Sequence, residues 1–177
     1  MIKIIDGLLD QNELKALQDL LLGHDFPWFF NSRTVAGGEK VLNDFQLIHA
    51  FYVDSDNFGF IHSDRFKVIE PLLAKIGSKI LIRAKANMRT VSARQNTNVN
   101  YHTDDMSKKF EFAYGLTETA IFYVNTNNGY TEFKDHQKVD CLANRLVTFP
   151  TNTKHRGVGS TDTKQRVVIN FNYIKDA

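Results

Sequence analysis

The stretch Ile80-Leu81-Ile82-Arg83-Ala84-Lys85-Ala86-Asn87-Met88-Arg89-Thr90-Val91 marks the point at which the chain changes character. Apolar and polar side chains alternate along it, and a period of two is typical of a β-strand with two different faces. The apolar face holds Ile80, Ile82, Ala84, Ala86 and Met88, and the polar face holds Arg83, Lys85, Asn87 and Arg89. We therefore predict a strand over 80–91 at the start of a β-rich region.

Three further strands are predicted downstream, at Thr119–Asn125, Arg145–Phe149 and Arg166–Tyr173. Turn-forming residues separate them, including Asn127-Asn128-Gly129 and the segment 157–162. Many short strands at regular spacing favour a β-sandwich or a jelly roll. In the last of these strands, Val167, Ile169, Phe171 and Tyr173 form a wholly apolar face, and Arg166, Val168 and Asn170 form the opposite one.

The first third of the chain predicts helices and loops, with one or two strands at 2–5 and 45–53. Asp10 and Glu13 form a capping-box pattern ahead of leucines at helical spacing. A second helix is expected after residue 63, ending near Gly77, with a kink or break at Pro71. The long segment 24–44 is expected to be a lid, a binding loop or an aromatic-anchored surface loop.

Composition bounds the class of protein. The chain has 177 residues, which predicts one domain, 1–177. Its net charge of +2 does not by itself indicate nucleic-acid binding. No signal peptide or membrane-spanning run is predicted, and the single Cys141 points to a reducing compartment, so we expect a cytoplasmic protein with a buried, unreactive thiol.

Two of the six histidines stand in a pattern that suggests metal binding. Asp104 lies two residues after His102, so both side chains would share one side of an extended segment. His155 follows a strand and a proline-containing turn, and Arg166 comes eleven residues later. Two imidazoles and one carboxylate leave a metal with open positions on one face, as in non-haem Fe(II) oxygenases. The other four, His24, His49, His62 and His136, show no ligand pattern.

The order of motifs resembles the Fe(II)- and 2-oxoglutarate-dependent oxygenase superfamily, especially its prolyl-hydroxylase-like and small phage or bacterial members. The matching residues cover roughly the second half of the chain: His102, Asp104, Tyr123, Gly129-Tyr130-Thr131-Glu132-Phe133, Asn144-Arg145-Leu146, His155 and Arg166. The resemblance implies a double-stranded β-helix, or cupin-like jelly roll, over residues 79–177. The helical and loop region, residues 1–78, would pack on one sheet.

The resemblance also implies roles for individual residues. His102, Asp104 and His155 would bind Fe(II), and Arg166 and Tyr123 would hold the distal carboxylate of 2-oxoglutarate, with Asn170 a weaker candidate for that pocket. Arginine suits this role because its planar fork binds a carboxylate through two hydrogen bonds. The expected reaction uses O2 to hydroxylate an unactivated C–H bond and releases succinate and CO2.

Several alternatives stay open at this point. Asp105 could replace Asp104 as ligand, and Tyr123 could be plain core. The basic face of 80–91 favours a solvated strand face over a site for an acidic or phosphate-bearing substrate. The substrate could be a peptidyl residue such as proline, a small molecule or a nucleic-acid base. Rival functions are a cupin-like metal-binding or sensing module and a non-oxidative metal enzyme.

Overall fold

The computed structural model describes residues 1–32, 45–56, 59–97, 99–104, 108–113 and 115–175. Within these ranges lie two α-helices, two short 3-10 helices and eleven β-strands. The helices are α1 (Gln11–Leu21) and α2 (Glu70–Ile76), with 3-10 turns at Phe66–Ile69 and Lys108–Ala113. The strands are β1 (Lys3–Asp6), β2 (Phe29–Asn31), β3 (Gln46–Ser55), β4 (Gly59–His62), β5 (Ile80–Thr90), β6 (Thr117–Tyr123), β7 (Tyr130–Phe133), β8 (Lys138–Asp140), β9 (Arg145–Pro150), β10 (His155–Val158) and β11 (Gln165–Ile174).

The described strands form a large sheet and a small one. The large sheet has the order β1-β9-β6-β11-β5-β3-β2, with β4 added beside β3, and the small sheet has the order β10-β7-β8. Every strand pair is antiparallel. The first third of the chain supplies β1 to β4. The strands predicted at 2–5 and 45–53 correspond to β1 and β3, and β2 and β4 are additional.

The pairing of β5 with β11 forms the centre of the large sheet. Its register places Arg89 opposite Arg166, Lys85 opposite Asn170 and Arg83 opposite Asn172. Because side chains directly opposite one another on paired strands point to the same side, these polar residues form one face. The face turns towards the small sheet, and the apolar face of both strands turns away from it.

The apolar outer face of the large sheet packs against the helices, as its sequence pattern predicts. Val167, Ile169 and Phe171 of β11 share one core with residues of α1 and α2. Burial of each fully buried leucine in this layer contributes about 1.5–3 kcal/mol to the stability of the folded state. The helical members of the core are Leu14, Leu17, Leu21, Ile69 and Leu72.

The ends of the helices agree in part with the sequence prediction. Asp10 accepts from the backbone N–H of Glu13, and the Glu13 side chain accepts from the backbone N–H of Asp10, which completes the predicted capping box. The break expected at Pro71 is found: the 3-10 turn ends at Ile69, and Pro71 lies in the first turn of α2, where its missing N–H has no helical partner to lose. Neither helix of the described chain is long and apolar enough to span a membrane.

A second core fills the space between the two sheets. It joins β6, β9 and β11 of the large sheet to β7 and β8 of the small one. Two facing sheets with a packed interior and helices on the outside are the architecture of a double-stranded β-helix, so the predicted fold class is confirmed. The members are Ile121, Tyr123, Phe133, Val139, Cys141, Val147, Phe149 and Val168.

Candidate metal centre and carboxylate pocket

The structure brings His102, Asp104 and His155 together between the sheets. One ligand atom from each lies within 4.8 Å of the others. Two backbone hydrogen bonds of 2.9 Å join His102 and His155 in both directions, and the Asp104 N–H donates to the Thr151 carbonyl at 3.2 Å. The predicted strand through His102 is reduced to this single bridge, but the short antiparallel pairing is enough to set the spacing of the ligands.

Both imidazoles are arranged for metal binding. The Nδ1–H of His155 donates to the Thr153 carbonyl at 3.0 Å, which leaves Nε2 with a free lone pair. Burial, and then the neighbouring His155, lower the pKa of His102 to about 4. The ring of Phe149 packs edge-on against His155, with 4.8 Å between centroids. His102 is therefore neutral at physiological pH, as a metal ligand must be.

The carboxylate of Asp104 is held by two donors. Arg83 Nη2 donates to Oδ1 at 2.7 Å, and Thr119 Oγ1 donates to Oδ2 at 2.6 Å. Asn172 bridges these donors, because its Oδ1 accepts from Arg83 Nε at 2.7 Å and its Nδ2 donates to Thr119 Oγ1 at 2.9 Å. Burial alone would raise the pKa of Asp104, but Arg83, with His155 and Thr119, holds it well below its usual range.

The polar face of β5 is not the solvated surface that its sequence favours. Arg83 is bonded to Asp104, and Asn87 is buried with 7% of its surface exposed. Burial, and then repulsion from Arg83, lower the pKa of Lys85 to about 8. The prediction of a solvated face is wrong because the small sheet covers this side, which a single strand cannot reveal.

Arg166 opens β11 at the far side of the same interior space. Its side chain is buried, and its Nε has no hydrogen-bond partner among the described residues. The guanidinium carbon lies 5.9 Å from the centre of the Tyr123 ring. The Tyr123 hydroxyl donates to Thr131 Oγ1 at 2.8 Å, and burial raises the pKa of this phenol. These groups surround a pocket with a cation at one end and neutral hydroxyl groups beside it.

Glycine at position 129 allows Arg166 to lie where it does. A Cβ on Gly129 would stand 2.7 Å from Arg166 Cδ and 2.8 Å from the Val158 carbonyl. The buried thiol of Cys141 also lies beside the guanidinium, and burial raises its pKa. The predicted burial of Cys141 is correct. The residues around Cys141 in the sequence do not indicate that its thiol lies next to Arg166, and this contact becomes visible only in the folded chain.

The residues present fit a divalent metal and a dicarboxylate. A buried guanidinium with an unpaired donor is unfavourable unless an anion is bound. Two neutral imidazoles and an ionised carboxylate form the ligand set preferred by non-haem Fe(II). Both features lie between the same two sheets, on the face of the large sheet that carries Arg83 and Arg166.

Comparison with solved structures relates this arrangement to known proteins. A prolyl hydroxylase from Trichoplax adhaerens, in complex with a hypoxia-inducible-factor peptide, aligns over 98% of this chain and 83% of its own, with a TM-score of 0.61 and 14% identity. The viral collagen prolyl hydroxylase of Paramecium bursaria Chlorella virus-1, in complex with 2-oxoglutarate, covers 99% and 96% with a TM-score of 0.60 and 12% identity. The chain has the fold of the 2-oxoglutarate- and Fe(II)-dependent oxygenases.

A third structural neighbour with this oxygenase fold is an oxidoreductase of the 2-oxoglutarate–Fe(II) oxygenase family from Burkholderia pseudomallei. It covers 99% of this chain and 86% of its own at a TM-score of 0.64 and 11% identity. The sequence matches no protein-family model and no curated protein. The likeness therefore comes from the fold, and the site of this chain is argued from its own residues.

The network behind Asp104 is the main component of the site that the sequence does not predict. Thr119 and Asn172 lie on predicted strands, but their contact with each other and with Arg83 depends on the register of β5, β6 and β11. The alternative ligand Asp105 lies outside the described residues. So does 33–44, most of the predicted lid segment.

Proposed function

We propose that this chain is an Fe(II)- and 2-oxoglutarate-dependent oxygenase that hydroxylates an unactivated C–H bond. One juxtaposition carries the proposal: the cluster of His102, Asp104 and His155 and the buried guanidinium of Arg166 both lie between the two sheets. The ligand set suits Fe(II), and the guanidinium supplies the anchor that a dicarboxylate cosubstrate needs. Residues 1–177 act in this proposal as one oxygenase domain.

Each side chain has a defined role in holding the reactants. His102 and His155 offer neutral imidazole nitrogens, and Asp104 offers a carboxylate oxygen whose orientation is fixed by Arg83 and Thr119. When bound, Fe(II) and 2-oxoglutarate supply the O2-dependent oxidation, which yields succinate, CO2 and the hydroxylated product. The residues of this chain supply geometry, charge balance and exclusion of water.

Arg166 and Tyr123 are assigned to the distal carboxylate of 2-oxoglutarate. The guanidinium can donate two parallel hydrogen bonds to a carboxylate. Tyr123 keeps its proton at physiological pH because burial raises its pKa, so its hydroxyl can turn from Thr131 towards the ligand as a donor. Val168 and Ile121 belong with Tyr123 to the buried core between the two sheets and keep water out.

The first substrate candidate is a peptidyl residue such as proline. Two of the structural neighbours are prolyl hydroxylases, one of them in complex with a peptide. A free small molecule and a nucleic-acid base are the alternatives. These neighbours share only 12–14% identity with the chain, so the choice among substrates depends on experiment.

Two rival functions keep the metal and lose the oxidation. One is a cupin-like binding or sensing module, and the other is a non-oxidative enzyme that uses the same three ligands with Zn(II). Neither requires a buried cation for a carboxylate, whereas Arg166 is buried and has an unpaired donor. Arg166 is the reason for preferring the oxygenase.

The decisive test is succinate release. Purified protein receives Fe(II), 2-oxoglutarate and O2, with and without a panel of peptides, small molecules and nucleotides, and succinate is measured against a His155→Ala control. Succinate above that control supports the proposal, including turnover without substrate. Succinate at the control level throughout, combined with intact metal binding, would overturn it in favour of the binding module or the zinc enzyme.

A further inference from the structure

Three polar residues form a patch on the inner face of the large sheet to which the function proposed above assigns no role, although the sequence makes Asn170 a weaker candidate for the 2-oxoglutarate pocket. They are Lys85 and Asn87 on β5 and Asn170 on β11, called here the amide–lysine patch. Lys85 is directly opposite Asn170 in the strand register, and Asn87 is two residues further along the same face of β5. Because alternate residues of a strand share a side, the three side chains lie next to one another.

Lys85 is a cation without a partner in this patch. It forms no hydrogen bond or ion pair with any residue in the described ranges of the chain. Its ammonium group is repelled by Arg83 and attracted by Asp104 at longer range. Asp104 already accepts hydrogen bonds at both oxygens, from Arg83 and Thr119. A cation kept partly buried without its own anion is unfavourable, so the site is suited to an anion that arrives with a ligand.

The two asparagines offer unused acceptors beside that cation. The Oδ1 atoms of Asn87 and Asn170 are both buried and have no hydrogen-bond partner among the described residues. An unpaired buried acceptor costs about 1–3 kcal/mol, which a ligand N–H can recover. The patch thus presents a positive charge with two carbonyl acceptors close to it.

The cations around the cavity have separate tasks. Arg83 is bonded to the Asp104 carboxylate, and Arg166 is reserved for the cosubstrate in the function proposed above. Arg89, on the same face of β5, donates to the Gly157 carbonyl at 2.9 Å. Among the described cations of this face, Lys85 is therefore the one without an assigned partner. A divalent metal and a dianionic cosubstrate cancel each other in charge, so the charge of Lys85 stays available after both have bound.

We propose that Lys85 binds a carboxylate of the substrate, while Asn87 and Asn170 accept hydrogen bonds from an N–H group next to that carboxylate. The ligand chemistry is that of an α-amino acid, either free or at the C-terminus of a peptide. The inference rests on the proposed function, because it takes the molecule at this patch to be the one that is oxidised. Lys85 and the asparagines are binding residues that determine specificity.

The position of the patch separates it from the distal carboxylate of the cosubstrate. Asn170 lies four residues beyond Arg166 on β11, which is about 13 Å along an extended strand. The same stretch of β11 approaches the metal side, since Asn172, two residues further on, is bonded to the Arg83 that holds Asp104. A substrate anchored by Lys85 is thus held beside the metal ligands, as oxidation requires.

The test measures binding of small carboxylates to the full chain, saturated with Mn(II) and 2-oxoglutarate and kept free of O2. Glycine and N-acetylglycine are the probes, and glycinamide and N-acetylglycinamide are their uncharged counterparts, all followed by NMR titration. The variants are Lys85→Met, which removes the cation, and Asn170→Asp, which keeps the shape and adds a repelling charge. Lys67→Met, on the exposed 3-10 turn, is the control. The affinity of each protein for 2-oxoglutarate is measured in parallel.

We expect at least one carboxylate probe to bind with a Kd of about 1–20 mM, and its amide at least tenfold more weakly. Each patch variant should weaken carboxylate binding tenfold or more, with 2-oxoglutarate affinity changed less than tenfold in Lys85→Met and Lys67→Met equal to the parent. Preference for glycine indicates a free amino acid, and preference for N-acetylglycine indicates a peptide terminus.

Three results would overturn the inference. These are no carboxylate binding up to about 50 mM, equal binding of probe and amide, or binding that both patch variants leave intact. A tenfold loss of 2-oxoglutarate affinity in Lys85→Met would reassign Lys85 to the cosubstrate, which also overturns it. Failure of the proposed function is distinguishable, because the parent protein would then not bind 2-oxoglutarate at all, whatever the probes do.

Discussion

Arg83 donates a hydrogen bond of 2.7 Å to the carboxylate of Asp104, the one acidic member of the metal-ligand cluster. The cation comes from β5, and the carboxylate comes from a segment about twenty residues later. The pair is mostly buried, with 20% and 6% of the two side chains exposed. A divalent metal at this cluster therefore meets a carboxylate that already has a positive neighbour.

Replacing Arg83 with Met should destabilise the metal-free protein by about 3–5 kcal/mol, because it leaves a buried carboxylate without its cation. A metal ion can supply the missing charge, so Mn(II) should raise the melting temperature more in this variant than in the parent. Thermal unfolding with and without Mn(II) measures both effects. The control is Lys15→Met, which breaks the exposed pair with Asp19 and should cost below about 1 kcal/mol. A smaller metal effect in Arg83→Met than in the parent would contradict this account.

Removing one imidazole should abolish the metal site. His155→Ala is expected to weaken Mn(II) or Co(II) binding by more than about 100-fold, since loss of groups that merely support ligands already costs 10–100-fold. The comparison is His24→Ala, because His24 is almost fully exposed and its ion pair among the described residues is with Asp25. Elemental analysis and calorimetry give stoichiometry and affinity. Unchanged metal content in His155→Ala would refute the ligand assignment.

Arg166→Met should weaken 2-oxoglutarate binding by about 30–100-fold, which corresponds to the loss of charge-assisted hydrogen bonds worth about 2–3 kcal/mol. Calorimetry in the presence of Mn(II) measures it, with metal affinity expected to stay unchanged. Arg65→Met serves as the matched arginine, because Arg65 is half-exposed and, in the part of the chain that the structure describes, pairs with the exposed Asp64 at 3.9 Å. Equal 2-oxoglutarate affinity in Arg166→Met and the parent would remove the cosubstrate pocket from the proposal.

A methyl group at position 129 should displace Arg166 and so weaken the binding of 2-oxoglutarate. The added Cβ of Gly129→Ala would lie 2.7 Å from Arg166 Cδ, so Arg166 must move, at a cost of about 1–3 kcal/mol of stability. We expect 2-oxoglutarate affinity to fall about tenfold. Gly159→Ala is the control, since a Cβ there meets nothing within 4 Å. Chemical denaturation and calorimetry compare the two, and equal behaviour would show that Gly129 is not needed for the position of Arg166.

The charge of Lys85 predicts a pH-dependent stability difference. Its pKa in the folded protein is about 8, against 10.5 for an unperturbed lysine, so the folded state is penalised while Lys85 is protonated. Without ligand, Lys85→Met should therefore be more stable than the parent at pH 7, by on the order of 1–3 kcal/mol. The gain should fade as the pH rises from about 8 to about 10.5, where the parent loses its penalty. Denaturation at pH 7 and pH 10 tests this, and a gain that stays constant with pH would disprove the cause.

The strands that can be predicted are those with a strong internal pattern. β5, β6, β9 and β11 each have enough alternating or apolar residues to be recognised alone. The short strands β2, β4, β7, β8 and β10 have only three or four residues each, too few for a period to emerge. These strands are stabilised by pairing with neighbours, which is a property of the fold and not of the local sequence.

The residues of the site also fall into a group that the sequence predicts and a group that only the fold reveals. The order of motifs singles out His102, Asp104, His155 and Arg166; the structure clusters the first three and buries Arg166 between the same two sheets. The local pattern places Arg83 on a solvated face, because charged residues usually are solvated. Its true environment depends on the small sheet, whose strands come from residues more than forty positions away. Residues that support a site from another strand are therefore the hardest to find without the fold.

The backbone pairing of His102 with His155 has a consequence for how such a site can change. Main-chain hydrogen bonds, and not the metal, keep these two positions adjacent. The scaffold is therefore indifferent to the identity of the ligands, and a substitution at either position alters the chemistry while the framework persists. A fold that sets the distance between ligands in its main chain leaves metal preference free to vary through the side chains alone.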